Sequence, residues 1–257
     1  MSWRISEEQD VAVVHMNSNN VNRQNDGFFA DLSDALDRLD AKYPRHSVVL
    51  TSDHHLFSAG FDFDFWFPSI AKNMVTKVGS DYTKFKRVNL RLFTYPRPVV
   101  AAINGHAYAG GLITALCCDF RIVVNRNANL TLNEVAIGLA MPSLFTEIIR
   151  YAIGTPVAAK AILKAGIYSP SEAHAAGIVD QVVEPEKLMG AAVELARELG
   201  GDRLTAFTFS KAALQAPVLR TIADDTARLD EGFGAAWCSD DARSATAKAY
   251  AKLKSRK

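Results

Sequence analysis

An α/β fold with a mainly parallel sheet follows from three observations on the 257-residue sequence. Short apolar runs recur at residues 11–16, 47–50, 99–103, 119–124 and 178–183, the pattern of strands covered on both faces. Residues 26–42 carry Phe29, Leu32, Leu36 and Leu39 at helical spacing, and strand, helix and strand within about forty residues require a crossover and parallel pairing. In residues 99–119, VVAAINGHAYAGGLITALCCD, a buried strand runs through a glycine pair into an apolar helix at 112–118, and the rest of the chain is arranged around this stretch.

Each element has a local reason. VAVVHM at 11–16 is a strand, and NSNNVN at 17–22 is a polar loop with little order of its own. After the strand SVVL, residues 51–67 read as a loop dense in aromatics, with Phe61, Phe63, Phe65, Trp66 and Phe67 forming either a core patch or the wall of a hydrophobic cavity. Asp62 and Asp64 suit a turn or a helix start, and His54 and His55 sit in an exposed polar turn. A helix at 82–93 stops at Pro96. Beyond the strand at 119–124, an extended piece at 130–135 holds Glu134, and 138–142 breaks the chain before a helix that starts at Pro142 with Phe145, Ile148 and Ile149 on its apolar face. A helix at 156–164 ends at Gly166, and Ser169 opens another through a capping box with Pro170 and Glu172. From about residue 185 the pattern is helical, with breaks expected near Gly200, Pro217 and Gly232.

Composition narrows the function. Residues are 49% apolar, 29 basic residues face 28 acidic ones, and the mean hydropathy is zero, so neither a nucleic-acid footprint nor a polybasic membrane patch is expected. No apolar run approaches the ~20 residues that span a bilayer. Cys117, Cys118 and Cys238 lack metal-ligand spacing, which points to a reducing compartment, packing roles and no metal site. MSWRISEEQD has no apolar signal core and the terminal SRK is no address signal, so a cytoplasmic location is expected. The length suits one large domain, or a domain with an appendage.

The glycine pair can be read in two ways. Backbone N–H groups at Ala109, Gly110 and Gly111 can hold a negative oxygen at a helix start, or the glycines can simply allow the helix to approach the sheet. No Lys-Ser or Lys-Thr follows and the glycine spacing is not that of a dinucleotide fold, which argues against nucleotide binding.

Four stretches, FSAGFD at 57–62, AINGHAYAGG at 102–111, LCCDFRI at 116–122 and SEAHAAGIVDQVV at 171–183, together resemble the crotonase (enoyl-CoA hydratase/isomerase) superfamily. Within it the chain is most similar to the mitochondrial-type Δ3,Δ2-enoyl-CoA isomerases. The resemblance implies a crotonase-like (ClpP/crotonase) spiral of ββα units, a core at 1–200 holding an acyl-CoA site, and a helical oligomerisation region at 201–257 that builds a homotrimer or hexamer. The tail's apolar positions Phe207, Leu214, Leu219, Leu229 and Phe233 fit such packing. The substrate is then an acyl-CoA thioester, its coenzyme A being part of the substrate, with no separate cofactor.

Carried over by motif, the oxyanion hole is the N–H groups of Phe61 and Gly110, the base is Glu134, and Ala59, Gly60, Phe63, Trp66, Gly111 and Ile113 border the substrate. Hydratases of the family resemble one another in two glutamates, and the first falls here on Ile113. One carboxylate suits a double-bond shift better than hydration, because one base can remove a proton and return it further along the chain. Alternatives are a hydratase-like enzyme, a C–C bond hydrolase using His106 or His54, and a non-catalytic acyl-CoA-binding scaffold. Glu147 is a further carboxylate, expected to face solvent, and Asp64 stands where many hydratases carry a lysine.

Overall fold

The computed structural model describes residues 3–230 and 232–255, the side chains of 224–230 excepted. The chain opens with a hairpin, β1 (Arg4–Glu8) and β2 (Val11–Met16), turning through Gln9 and Asp10, both at positive φ as a two-residue hairpin turn requires. A unit then repeats: a long strand, a short strand, and a helix. Its first copy continues from β2 through β3 (Arg23–Gln24) into α1 (Asp26–Lys42). The second is β4 (Ser47–Ser52), β5 (Gly60–Phe61), α2 (Phe63–Ala71) and α3 (Val75–Phe93). The third is β6 (Val99–Ile103), β7 (Ala107–Tyr108) and α4 (Gly110–Leu116). The fourth is β8 (Phe120–Val124), β9 (Leu130–Thr131), a 3₁₀ turn (Val135–Ile137), α5 (Ser143–Ile153) and α6 (Thr155–Lys164). The chain ends with β10 (Ile167–Tyr168), α7 (Pro170–Ala175), β11 (Gln181–Val183), α8 (Leu188–Leu199), α9 (Leu204–Asp230), α10 (Phe233–Trp237) and α11 (Asp240–Lys254).

The long strands form one sheet in the order β1-β2-β4-β6-β8-β11, parallel except for β1. The short strands pair as β3-β5 and β10-β9-β7, and a bridge from Ser58 to Ala107 connects the two groups. This is the spiral of ββα units. Alternation explains why the long strands read as continuous apolar runs: Val11, Val13, Val49, Val100 and Ile122 pack under α8, and Ala12, Val14, Val48, Leu50 and Ala101 belong to the larger core with α1, α3 and α5. Among the described residues no helix is long and apolar enough to cross a membrane.

Several expectations need correction. The aromatic segment is not loop throughout: α2 begins at Phe63, because the Asp62 carboxylate caps it by accepting the Asp64 N–H. The next helix starts at Val75, seven residues before the apolar pattern becomes evident, since its first three residues are exposed and Val78 is the one apolar residue it buries before Tyr82. The 17–22 loop is ordered by buried amides: fully buried Asn22 accepts the Ser18 N–H and donates to Ser52 Oγ and the Phe57 carbonyl. The last strand spans only Gln181–Val183.

Pro217 does not break α9. Ala213, whose carbonyl the missing proline N–H would have served, is exposed, so that carbonyl can be met by water. The tail also packs on its own chain, α9 against α5, α10 against α3 and α11 against α2, and Phe233, Trp237 and Ala242 lie inside the main core. Phe209 and Leu214 are 78% and 65% exposed, whereas Phe207 and Leu219 are partly covered. The Leu229 side chain lies outside the described residues.

Candidate active site

The site is built where the short strands hand over to α4 and to the 3₁₀ turn. Ala109 precedes α4 at φ 49° and ψ −121°, a conformation costly for any residue with a Cβ. Its N–H donates to the Thr131 carbonyl at 2.8 Å and that of Tyr108 to the Ser58 carbonyl at 3.0 Å, which hold the strained turn in place. As the first helical residue, Gly110 has an N–H with no acceptor inside the helix.

Both glycines are demanded by packing. A Cβ on Gly110 would lie 2.1 Å from Gln24 Oε1 and 3.0 Å from the Phe61 ring, and one on Gly111 would lie 2.7 Å from Ser58 Cβ. The packing reading therefore holds for both glycines, and at Gly110 the close approach sets α4 against Gln24 and the Phe61 ring. Along β5, the Asp62 N–H donates to the Gln24 carbonyl, so by alternation the Phe61 N–H points away from β3, toward β7 and α4. Gly60 at φ +75° makes this possible: a Cβ there would strike the Tyr108 carbonyl oxygen at 2.3 Å.

Pairing brings Glu134 to the same edge. β9 runs parallel to β7 with Leu130 opposite Ala107 and Thr131 opposite Tyr108, so Glu134 leaves one strand as Gly110 leaves its neighbour. It was expected on an extended piece. It adopts helical angles instead (φ −56°, ψ −51°), and its carbonyl accepts the N–H groups of Ile137 and Leu139, which tightens the turn beneath it. The residue is 1% exposed and neither carboxylate oxygen has a hydrogen-bond partner among the described residues. Burial raises its pKa from 4.5 to about 7. A carboxyl kept dry and unpaired is expensive to the fold, and such groups are characteristic of chemistry. The C-terminal helices help to keep it dry: Trp237 Nε1 donates to the Ala140 carbonyl at 2.8 Å, and Gly138 sits so close under α11 that a Cβ would lie 2.6 Å from that of Ala245.

The other candidate residues divide. Ile113 is fully buried one turn into α4. Ala59 precedes Gly60 and donates its N–H to the Val21 carbonyl. Trp66 is 3% exposed, donates Nε1 to the Gln24 carbonyl at 3.1 Å, and packs its ring on Phe61 and Trp237 at 5.6 and 5.7 Å. Phe63 stands apart, stacked on Tyr250 of α11. Glu147 is ion-paired to Arg150 at 2.7 Å, and His106 accepts the Asn129 N–H at Nδ1. The cysteines are unpaired and buried, the thiol of Cys118 pushed up to about 12 by burial. Packing on this scale predicts that Trp66→Ala costs about 3–5 kcal/mol in urea unfolding. A loss below about 1 kcal/mol would show that the ring borders open space.

Gln24 was missed as a site residue. Its carbonyl anchors Asp62 and Trp66, while its Nε2 donates to the Gly110 carbonyl and Thr114 Oγ1, each at 3.0 Å, so one buried residue ties the segment after β5 to α4. No periodicity could have marked it; it lies just past a polar stretch. Ala109 was legible only as the residue before the glycines.

Known proteins resemble this chain in sequence and fold. The profile of the enoyl-CoA hydratase/isomerase family matches residues 6–254. A putative enoyl-CoA hydratase of Thermus thermophilus is 34% identical over 216 residues, 82% of each chain. The human mitochondrial enoyl-CoA delta isomerase 1 is 31% identical over 198 residues, covering 75% of this chain and 64% of that one. The crystal structure of human mitochondrial delta3-delta2-enoyl-CoA isomerase superposes with a TM-score of 0.90 over the whole of both chains at 25% identity. Matched over nearly its full length in profile, sequence and fold, the chain belongs to the enoyl-CoA hydratase/isomerase family.

Proposed function

We propose that this enzyme of the enoyl-CoA hydratase/isomerase family moves the double bond of a 3-enoyl-CoA to the 2-trans position. Glu134 takes a proton from C2, the N–H groups of Phe61 and Gly110 hold the thioester oxygen as it becomes a dienolate, and Glu134 returns the proton at C4. One observation carries the reading: Glu134 is a buried, unpartnered carboxyl with its pKa near 7, while the position that would supply a second acid on α4 is the buried Ile113. A pKa near the working pH suits a group that must both accept and release a proton. The similarity to delta isomerases supports the same direction. The substrate is an acyl-CoA thioester and coenzyme A comes with it.

The deciding experiment follows 3-enoyl-CoA and 2-enoyl-CoA esters of several chain lengths by absorbance with purified protein. Conversion of the first and inertness toward hydration of the second is the expected result; fast hydration by the unaltered protein would overturn the single-base mechanism. Ile113→Glu should add trace hydration, limited by the high pKa of a carboxyl placed in an apolar helix.

The exposed Phe209 and Leu214 on α9 support assembly into a homotrimer or hexamer. Light scattering at micromolar concentration should give a mass at least three times the 28.1 kDa chain. A clean monomer would refute it.

A further inference from the structure

A second constellation lies on the other face of the large sheet, the one covered by α8. In the hairpin register Arg4 faces His15 and Ser6 faces Val13, so the three polar side chains share the face on which Val11 and Val13 meet α8. Ser6 Oγ lies 3.2 Å from His15 Nε2, and His15 Nδ1 lies 3.0 Å from Asp53 Oδ1. Asp53 follows β4, its N–H donating to the Met16 carbonyl and its carboxylate accepting from Arg4. The imidazole is thus held at both nitrogens: a carboxylate on Nδ1 fixes the proton there and leaves the Nε2 lone pair toward the serine hydroxyl.

We propose that Ser6, His15 and Asp53 form a hydrolytic centre for small carboxylic esters, independent of the Glu134 site. Nucleophile, base and orienting carboxylate are connected through the atoms that acyl transfer requires. Burial and Arg4 lower the His15 pKa against the pull of Asp53, which favours the uncharged ring that a general base must be. His15 and Asp53, though not Ser6, line a cavity of about 510 Å³ with His54, Asn104, Arg126 and Met189, so Ser6 meets it only at its rim, through His15. It opens at the carboxyl ends of β2, β4, β6 and β8, where parallel sheets commonly bind ligands. His54 Nε2 and Asn104 Oδ1 are buried there without a partner among the described residues, which suits an acyl group with polar substituents. β1 is the edge strand, so every second amide of Ile5, Ser6 and Glu7 has no ladder partner and can face an oxyanion.

In the reaction Ser6 Oγ bonds to the ester carbon as its proton passes to His15 Nε2. The ester C–O bond then breaks and the alcohol leaves with that proton. Water attacks the acyl-serine, its proton goes to His15, and the acid departs as Ser6 regains its hydrogen.

The test uses the full-length protein with a fluorophosphonate probe, which labels activated serines, and with 4-nitrophenyl acetate. Mass spectrometry should place the label on the peptide carrying Ser6, in both the unaltered protein and Glu134→Gln. Ser6→Ala should abolish the label and lower ester hydrolysis at least tenfold, its melting curve confirming the fold. Asp53→Asn, which removes a positioning residue, should slow labelling of Ser6 at least tenfold and alter its pH profile. Absence of label on Ser6, hydrolysis that survives Ser6→Ala, or labelling of Asp53→Asn at the original rate and pH profile would each overturn the proposal.

Discussion

Glu134→Gln should lower turnover of a 3-enoyl-CoA by about a hundred- to ten-thousandfold while acyl-CoA binding persists, because the amide keeps the shape and removes the base. Exchange of the C2 proton with deuterated water should fall with it. Turnover near the original rate would transfer the role to another group. The unaltered enzyme should gain activity as pH rises through about 7, where the buried carboxyl ionises, and the variant should lack that limb.

The same group fixes the sign of a stability effect. Its folded-state pKa is raised from 4.5 to about 7, so between those values the unfolded chain releases the proton while the native state keeps it, and stability falls as pH rises. At about 1.4 kcal/mol per tenfold in proton affinity, the native protein gives up about 3 kcal/mol by pH 8 relative to pH 4. The glutamine variant does not. The difference in unfolding free energy between the two proteins should therefore move by about 3 kcal/mol in favour of Glu134→Gln across that range, whatever the amide itself costs. A difference independent of pH would show that the carboxyl is ordinary in the folded state.

Gly110→Ala should cost about a hundred- to a thousandfold in turnover, the usual loss for one oxyanion-hole donor. The new methyl would sit 2.1 Å from Gln24 Oε1 and 3.0 Å from the Phe61 ring, so Gln24 must move and both halves of the hole shift. Overpacking of this kind also destabilises by about 1–3 kcal/mol. Gly111→Ala is the control: its methyl meets Ser58 on the packing side, so stability should fall with a smaller effect on turnover. Kinetics and thermal melts on the pair separate the two, and unimpaired turnover in Gly110→Ala would remove the hole from that position.

The long strands, α1 and the capping box of α7 were legible because burial and local hydrogen bonding leave regular marks, and 26–42 was read to its limits. The short strands were not, since β3, β5, β7, β9 and β10 have two residues each and no period can be seen in two. Of the candidate site, Glu134, Phe61 and Gly110 are named by the family motifs. Gln24 and the strain at Ala109 were not, because their roles arise from chain segments about ninety residues apart meeting in space, as the Gln24 contact with Thr114 shows. Pro217 misled for a different reason: a rule about lost hydrogen bonds holds only where water cannot replace them.

The tail is fastened late and deep. Lys211 and Asp119 form an ion pair with side chains only 5% and 12% exposed, Gln215 donates to the Phe93 carbonyl, and Trp237 closes on Phe61 and Ala140. Tyr250 donates to Asp64 across 186 residues of sequence. During synthesis on the ribosome, the aromatic cluster around Phe61 must therefore wait, incompletely covered, until Trp237 and Tyr250 have emerged. The nascent chain carries an unfinished core until α10 and α11 follow, and their docking is itself the step that closes the surroundings of Glu134.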